Sequence, residues 1–209
     1  SLNGNIKSIL DAHSPKTKLI YRVQNDYWQR LPSGMFTTDP VQNATNWMTG
    51  IRDDRGRNLL DVWAINPADF HDPLNAPTAG DVQQAQWLNT WMITALELAH
   101  QHGFNLALFS FDSANPPYEM WQYLLPAMRL GKQYGAILSL HVYQDGSLLL
   151  KNPDGTYTQD TIDQTLRHRK IYGQYVPADA QLPIVYTEAS PDNGYGMGLW
   201  GQAWVNDMG

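Results

Sequence analysis

Glu188 is the residue of this sequence best placed to act as an acid, a base or a nucleophile, because it directly follows an apolar run that ends in Tyr186 and Thr187. A carboxylate at the end of a buried strand costs free energy unless a partner stabilises it. The position of Glu188 therefore indicates either a functional acid or a structural ion pair. Further polar residues stand at or just beyond the ends of similar runs: Arg22, Asn66, Asp69, His71, Asp72, Asp112, Ser113, Asn115, His141 and Tyr143.

Each of these residues also has a purely structural interpretation. An aspartate at a strand end, such as Asp72 or Asp112, commonly caps the next helix or forms a turn. Arg22 can pair with a nearby acid, and His141 can be a core histidine with satisfied hydrogen bonds. The ensemble is more specific than any member, because all of these residues are predicted on one rim of one sheet.

The runs that precede these residues are short, nearly continuously apolar and rich in β-branched and aromatic residues, as in strands that are covered on both faces. Strands are predicted at 17–23, 59–65, 105–111, 136–143 and 183–188, and helices at 4–13, 40–53, 81–102, 117–134 and 159–174. Strands that alternate with helices of this size predict parallel βαβ units. Loops after the carboxyl ends of such strands carry the functional sites.

The length of the chain limits the architecture. A closed eight-stranded α/β barrel typically needs about 250 residues, whereas this chain has 209 and five clear strands. We therefore expect one α/β domain over residues 1–209, either an open sheet or an incomplete TIM-like barrel. An incomplete barrel has two open edges that pair readily with another chain, so a homodimer through these edges is expected unless the termini cover them.

Composition narrows the classes of partner. The net charge is −6 and no long run of Lys and Arg occurs, which argues against nucleic acid and anionic membranes. Cysteine is absent, and no second histidine stands at a ligand-like spacing from His71, so we expect neither a metal nor a cofactor.

The chain contains 8 Trp and 11 Tyr, enough for a core and for a cleft, where flat rings suit the faces of sugars. A secreted or cell-surface location is expected, and a cytoplasmic one stays open.

The order of the strand-end residues resembles that of the clan A glycoside hydrolases, the TIM-barrel group that includes the family-five cellulases. In that group an Asn-Glu pair ends the fourth strand, a His-x-Tyr pair ends the sixth, and a nucleophilic Glu, often after Thr, ends the seventh. An Arg from an early strand lies near the nucleophile. The matching residues in this chain are Arg22, Asn66, His141, Tyr143 and Glu188.

The resemblance covers residues 17 to about 190 and implies that the five predicted strands are strands three to seven of a barrel that acts on or binds a polysaccharide or oligosaccharide. It implies that Glu188 attacks the sugar or stabilises an oxocarbenium-like state, held ionised by Arg22 and Tyr143. Asn66 would bind the sugar 2-hydroxyl, and His141 would position these groups. Further substrate contacts are expected from Asp112, Trp63 and Trp200.

The pattern breaks at Pro67, which stands where the family has its general acid, directly after Asn66. General acid catalysis typically contributes about 10²–10⁴-fold, so its source matters. Three interpretations are open: Asp69 or Asp72 supplies the proton from a shifted loop, the protein binds glycan without cleaving it, or the acid lies elsewhere, with Asp112 the next choice. An unrelated open-sheet hydrolase is a further alternative, but no Gly-x-Ser-x-Gly elbow or Gly-rich nucleotide fingerprint supports it.

Overall fold

A computed structural model describes residues 2–18, 20–22, 37–58, 64–66, 79–111, 116–143, 154 and 167–190. The strands are β1 (Ile20–Arg22), β2 (Ala64–Asn66), β3 (Asn105–Phe111), β4 (Ile137–Tyr143) and β5 (Ile184–Ser190). The α-helices are α1 (Leu2–His13), α2 (Pro40–Asn58), α3 (Ala79–Gln101), α4 (Leu125–Tyr134) and α5 (Arg167–Lys170). A 3-10 helix (Tyr118–Tyr123) precedes α4, and a π-helix (Ile171–Tyr175) continues α5.

The five strands form one parallel sheet in the order β1-β2-β3-β4-β5. Spatial order equals chain order, so right-handed crossovers place successive helices on the same face of the sheet. In agreement with this, α2 packs on α3 and α3 packs on α4. A doubly wound sheet instead reverses its strand order at a switch point, and no reversal occurs among the five strands described. The predicted α/β class with parallel strands is confirmed, and the sheet has the topology of a half-barrel.

The two faces of the sheet differ in what covers them. On the helix side, strand residues such as Ile65, Leu108 and Leu138 join one large core with the helices, whose centre includes the fully buried Trp91 and Trp121. Burying one leucine or isoleucine side chain of this kind stabilises the fold by about 1.5–3 kcal/mol. Because successive strand residues face opposite sides, the alternate positions form a separate inner face. Its small apolar cluster consists of Ala64, Ala107 and Ile137, with Ile20 and Val185 packed against it.

Local sequence signals explain how helix α2 begins. The Gln42 N–H donates to Asp39 Oδ1 at 2.8 Å, so Asp39 caps the helix and Pro40 occupies its first position, in agreement with the predicted helix start at residue 40. The helix is tied to α3 by Trp91, whose Nε1–H donates to Asn43 Oδ1 at 3.0 Å. The first turn of α2 is therefore anchored on the layer of helices that covers the sheet.

The predicted helix over 117–134 is wrong as a single element. The segment forms the 3-10 helix, passes through Leu124, and then forms α4, which has proline in its first turn. Pro126 has no N–H, and its ring would clash with the carbonyl of Gln122 in a continuous α-helix. Leu124 provides no side-chain cap, so the Ala127 N–H of the new helix is capped from α3, by Asn89 Oδ1 at 3.0 Å.

The remaining boundaries agree with the sequence to different degrees. The strand at 105–111 is confirmed at both ends, and β4 and β5 each begin one residue later than predicted. Residues 17 and 18 of the predicted strand over 17–23 precede β1, because Thr17 closes a turn on Ser14 through an N–H to carbonyl bond of 2.9 Å, and residues 19 and 23 lie outside the described residues. Residues 59–63 and 159–166 of the predicted second strand and last helix lie outside the described part of the chain.

Candidate functional site

The backbone register aligns the predicted site residues in two pairs near the carboxyl ends of the strands. Arg22, the last residue of β1, pairs with Asn66, the last residue of β2. His141 of β4 pairs with Glu188 of β5, two residues before β4 ends at Tyr143. Four residues expected to share a site are thus brought to the same end of one parallel sheet. The other predicted site residues, Asp69, Asp72, Asp112, Trp63 and Trp200, lie outside the described residues.

The two pairs do not lie at the same position along the strands. Continuing the β2–β3 register by one residue sets Asn66 beside Ala107, and Ala107 pairs with Ile137 of β4. Ile137 precedes His141 by four residues. In a flat sheet this offset would separate the pairs by about 13 Å along the strand direction, at about 3.3 Å per residue.

His141 is the best described member of the set. Its side chain is 3% exposed, and it follows Ile137 and Ser139 on alternate positions of β4, which assigns it to the inner face of the sheet. A buried histidine on this face agrees with both sequence interpretations, a positioning residue and a core histidine. What distinguishes the position is its register partner, because Glu188 is the candidate nucleophile.

A row of three hydroxyl groups lies beside this pair. Ser110 Oγ of β3 donates to Ser139 Oγ of β4 at 2.8 Å, and Ser139 Oγ lies 2.6 Å from Thr187 Oγ1 of β5, in a hydrogen bond that either hydroxyl can donate. Ser110 and Ser139 are fully buried. Sequence reasoning missed Ser139. The available signal was a hydroxyl residue within otherwise apolar strand runs, which is weak because Ser and Thr occur in many strands.

The backbone next to this row is irregular. Phe109 and Ser110 have φ values of 74° and 51°, a left-handed conformation that costs about 1–3 kcal/mol for each non-glycine residue. Packing holds it in place, since the Phe109 ring stacks on Phe111 at 5.1 Å and Phe111 meets the edge of Trp121 at 5.7 Å. Strained backbone of this kind clusters at functional sites, and here it adjoins the candidate site.

A second polar contact on β5 belongs to the helix side of the sheet. Tyr186 Oη and His168 Nδ1 are 2.5 Å apart, and Tyr186 is 40% exposed. Burial lowers the pKa of His168, and the charge of Arg169 lowers it further. Burial raises the pKa of Tyr186, which Arg169 opposes. Because Tyr186 alternates with Val185 and Thr187, this pair is directed away from the inner face.

Comparison with known proteins finds no match: no protein-family model, no curated protein and no solved structure matches the chain. Among the described residues, no group of three or more His, Asp or Glu side chains could hold a metal ion. No helix in the described ranges is long and apolar enough to cross a membrane.

Proposed function

We propose that this protein acts on or binds a polysaccharide or oligosaccharide at the carboxyl ends of the strands of a glycoside hydrolase-like barrel, with Glu188 at the position of the nucleophile. One observation carries the proposal. In a parallel sheet wound in one direction, the register pairs Arg22 with Asn66 and His141 with Glu188 at the same end. These four residues match four of the positions in the clan A resemblance, in the order of that family.

Barrel geometry supports the proposal because it accounts for the offset between the two pairs. In an eight-stranded barrel with a shear of eight, the strands tilt relative to the barrel axis. Residues at the same height along that axis are therefore offset by about one residue from each strand to the next. Three strand steps separate β1 from β4, and four separate β1 from β5. Only two steps separate β2 from β4, so the tilt takes up two to four of the four residues, according to which strands of the two pairs are compared. In this proposal the five strands are strands three to seven of the barrel.

The proposed roles follow from chemistry. The Glu188 carboxylate attacks the anomeric carbon or stabilises the positive charge that develops there, and the Arg22 guanidinium and Tyr143 hydroxyl keep it ionised. The Asn66 amide binds the sugar hydroxyl next to the anomeric carbon. His141, aligned with Glu188 in the sheet, orients these groups. Asp112, Trp63 and Trp200 complete the sugar contacts in this proposal.

Binding without hydrolysis is the second candidate, and Pro67 is the observation that favours it. Proline stands where the family has its proton donor, and a glycosidase needs a second carboxyl group about 5–5.5 Å or about 6.5–9.5 Å from the first. Asp69 or Asp72 supplies that group if the protein cleaves glycans, with Asp112 as the next choice. Substituting the aspartate that supplies the proton by Asn abolishes cleavage in the catalytic case, and both Asp→Asn variants keep glycan binding in either case.

The decisive experiment compares Glu188→Gln with the parent protein for retention on insoluble polysaccharides and for release of reducing sugar. Hydrogen bonds to a charged group are worth about 1.5–3 kcal/mol, so we expect affinity to fall roughly 10- to 150-fold, and any cleavage to be lost. Glu119→Gln is the matched control, because Glu119 is exposed on the 3-10 helix. Equal binding and cleavage by parent and Glu188→Gln proteins would refute the proposal.

Two proposals about context accompany this function. β1 and β5 are the outer strands of the described sheet, and we propose that two copies associate through such edges. Sedimentation velocity measures this directly, with a monomer at every concentration as the contrary result. A secreted or cell-surface location suits a protein that acts on polymeric glycan, and fractionation of the native host cells tests it.

A further inference from the structure

Two irregularities in the sheet flank β4, one on each side. On the β3 side, Phe109 pairs with Ser139 and Phe111 pairs with Leu140, so Ser110 is an extra residue. On the β5 side, Tyr186 pairs with Leu140 and Glu188 pairs with His141. Thr187 is therefore the extra residue of β5. Each is a β-bulge, in which two residues of one strand stand opposite one residue of its neighbour.

The two extra residues bind the same side chain. Ser110 Oγ donates to Ser139 Oγ at 2.8 Å, and Thr187 Oγ1 lies 2.6 Å from the same Ser139 oxygen. A buried hydroxyl group that loses its partner is destabilising, and both serines are fully buried. Each bulge thus directs its hydroxyl to Ser139, and Ser139 has the central position from which one hydroxyl reaches both.

The bulge in β5 decides which residue is aligned with His141. In a regular strand, Thr187 would pair with His141 and Glu188 would pair with Val142. A shift of one residue moves a strand residue to the other face of the sheet. The extra residue at Thr187 therefore sets the register at Glu188 and beyond, where Ala189 pairs with Val142.

We propose that Ser139 is a positioning residue, whose hydroxyl holds the bulges at Ser110 and Thr187 and thereby keeps Glu188 in register with His141. The inference about register depends only on the strand pairing in the sheet, and its consequence for glycan recognition rests on the proposed function. The left-handed φ values at Phe109 and Ser110 favour a held bulge over a relaxed one, because a regular strand would avoid that strain.

Engineered cysteines measure the register without reference to activity, since the chain contains no cysteine. The pair Val142→Cys and Ala189→Cys matches the observed register, whereas Val142→Cys with Glu188→Cys matches the register without the bulge. Aligned strand neighbours meet the geometry of a disulfide, and residues on opposite faces do not. In the parent background we expect the first pair to cross-link and the second to remain reduced.

Ser139→Ala is the test variant in both cysteine backgrounds. We expect the ratio of the two cross-linking yields to change about tenfold toward the second pair, which corresponds to about 1.4 kcal/mol. Unchanged yields in a folded Ser139→Ala protein would overturn the inference.

Thr187→Val and Thr187→Ser provide a second route if Ser139→Ala fails to fold. The valine variant keeps the shape of the side chain and removes its hydroxyl, and the serine variant restores the hydroxyl. We expect Thr187→Val to shift the cross-linking and Thr187→Ser to retain the parent pattern. A merely structural effect of substitution would lower the melting temperature without this rescue. Equal cross-linking by both variants overturns the inference.

Glycan retention by Ser139→Ala and Thr187→Val proteins without engineered cysteines separates this inference from the proposed function. A shifted register together with weakened binding supports both. A shifted register in a protein whose parent binds no glycan supports the positioning role of Ser139 and overturns the proposed function. An unchanged register with parental binding overturns the positioning role and leaves the proposed function intact.

Discussion

Tyr172 provides a quantitative test of the packing between the π-helix and the segment that leads into β5. Its hydroxyl donates to the Leu182 carbonyl at 2.6 Å and accepts the Leu182 N–H at 3.1 Å. Burial raises the pKa of this hydroxyl from 10.0 to about 12, with a further increase from Tyr186 and an opposing effect of the hydrogen bond from Leu182. The neutral form is therefore favoured in the folded protein.

The sign and size of the effect on stability follow from linkage. The folded pKa lies above the unfolded one, so this stabilisation is fully present below about pH 10 and is lost as the pH rises through about 12. Each pKa unit corresponds to about 1.36 kcal/mol, which gives an upper bound of about 2.7 kcal/mol. Because the Tyr172 side chain is only half-buried, solvent screening reduces the expected loss to about 1–2 kcal/mol.

Urea unfolding of the parent and Tyr172→Phe proteins between about pH 8 and about pH 11.5 tests this reasoning. At pH 8 the variant should be less stable by about 1–2 kcal/mol, because both polar groups of Leu182 lose their partner. As the pH rises, the parent should lose stability faster, so that the difference between the proteins shrinks. A difference that stays constant, or grows, across this range would refute the assignment of the raised pKa to Tyr172.

Two further predictions concern helix α4. Asn89→Ala should lower the free energy of unfolding by about 1 kcal/mol, because it removes the cap on Ala127 N–H, whereas Asn89→Asp keeps an acceptor and should retain most of it. Gly131→Ala should destabilise by up to about 2 kcal/mol, since a new Cβ would lie 2.8 Å from Leu108 Cδ1 in the packed core and overpacking outweighs the gain in helix propensity. Gly50→Ala is its control in α2, where nothing lies within 4 Å of the added carbon, and it should stabilise by about 0.5–1 kcal/mol. Thermal and urea unfolding measure all of these, and a Gly131→Ala protein as stable as Gly50→Ala would contradict the close approach of α4 to β3.

The parts of the fold that were predictable are those specified by neighbouring residues. The strand at 105–111 is a nearly continuous apolar run that follows a glycine turn, where Gly103 has a φ of 75°. Helix α2 begins at Pro40 after its cap Asp39, and α4 ends at Tyr134, before its C-cap Gly135, whose φ is 76°. Pro126 is a sequence signal against a single helix over 117–134. The cap that allows a new helix to begin there comes from Asn89, which lies 38 residues before the capped Ala127 in the sequence.

The candidate site likewise has a part that neighbouring residues specify and a part that depends on residues distant in the sequence. The sequence by itself determined that Arg22, Asn66, His141 and Glu188 stand at the ends of apolar runs, because hydrophobic patterning is local and marks where a strand leaves the core. It also determined the alternation of strands and helices, and therefore a parallel sheet.

Only the tertiary structure decided which residues of neighbouring strands are aligned. The pairing of His141 with Glu188 depends on the extra residue at Thr187, and that bulge is joined to Ser139 and Ser110 by hydrogen bonds that span 48 and 29 residues of sequence. Strand register depends on how two neighbouring strands pair in the folded protein. A single extra residue in one strand reverses which side chains share a face of the sheet. No local pattern in the run around Glu188 contains that information, because the partners that hold the bulge lie on other strands.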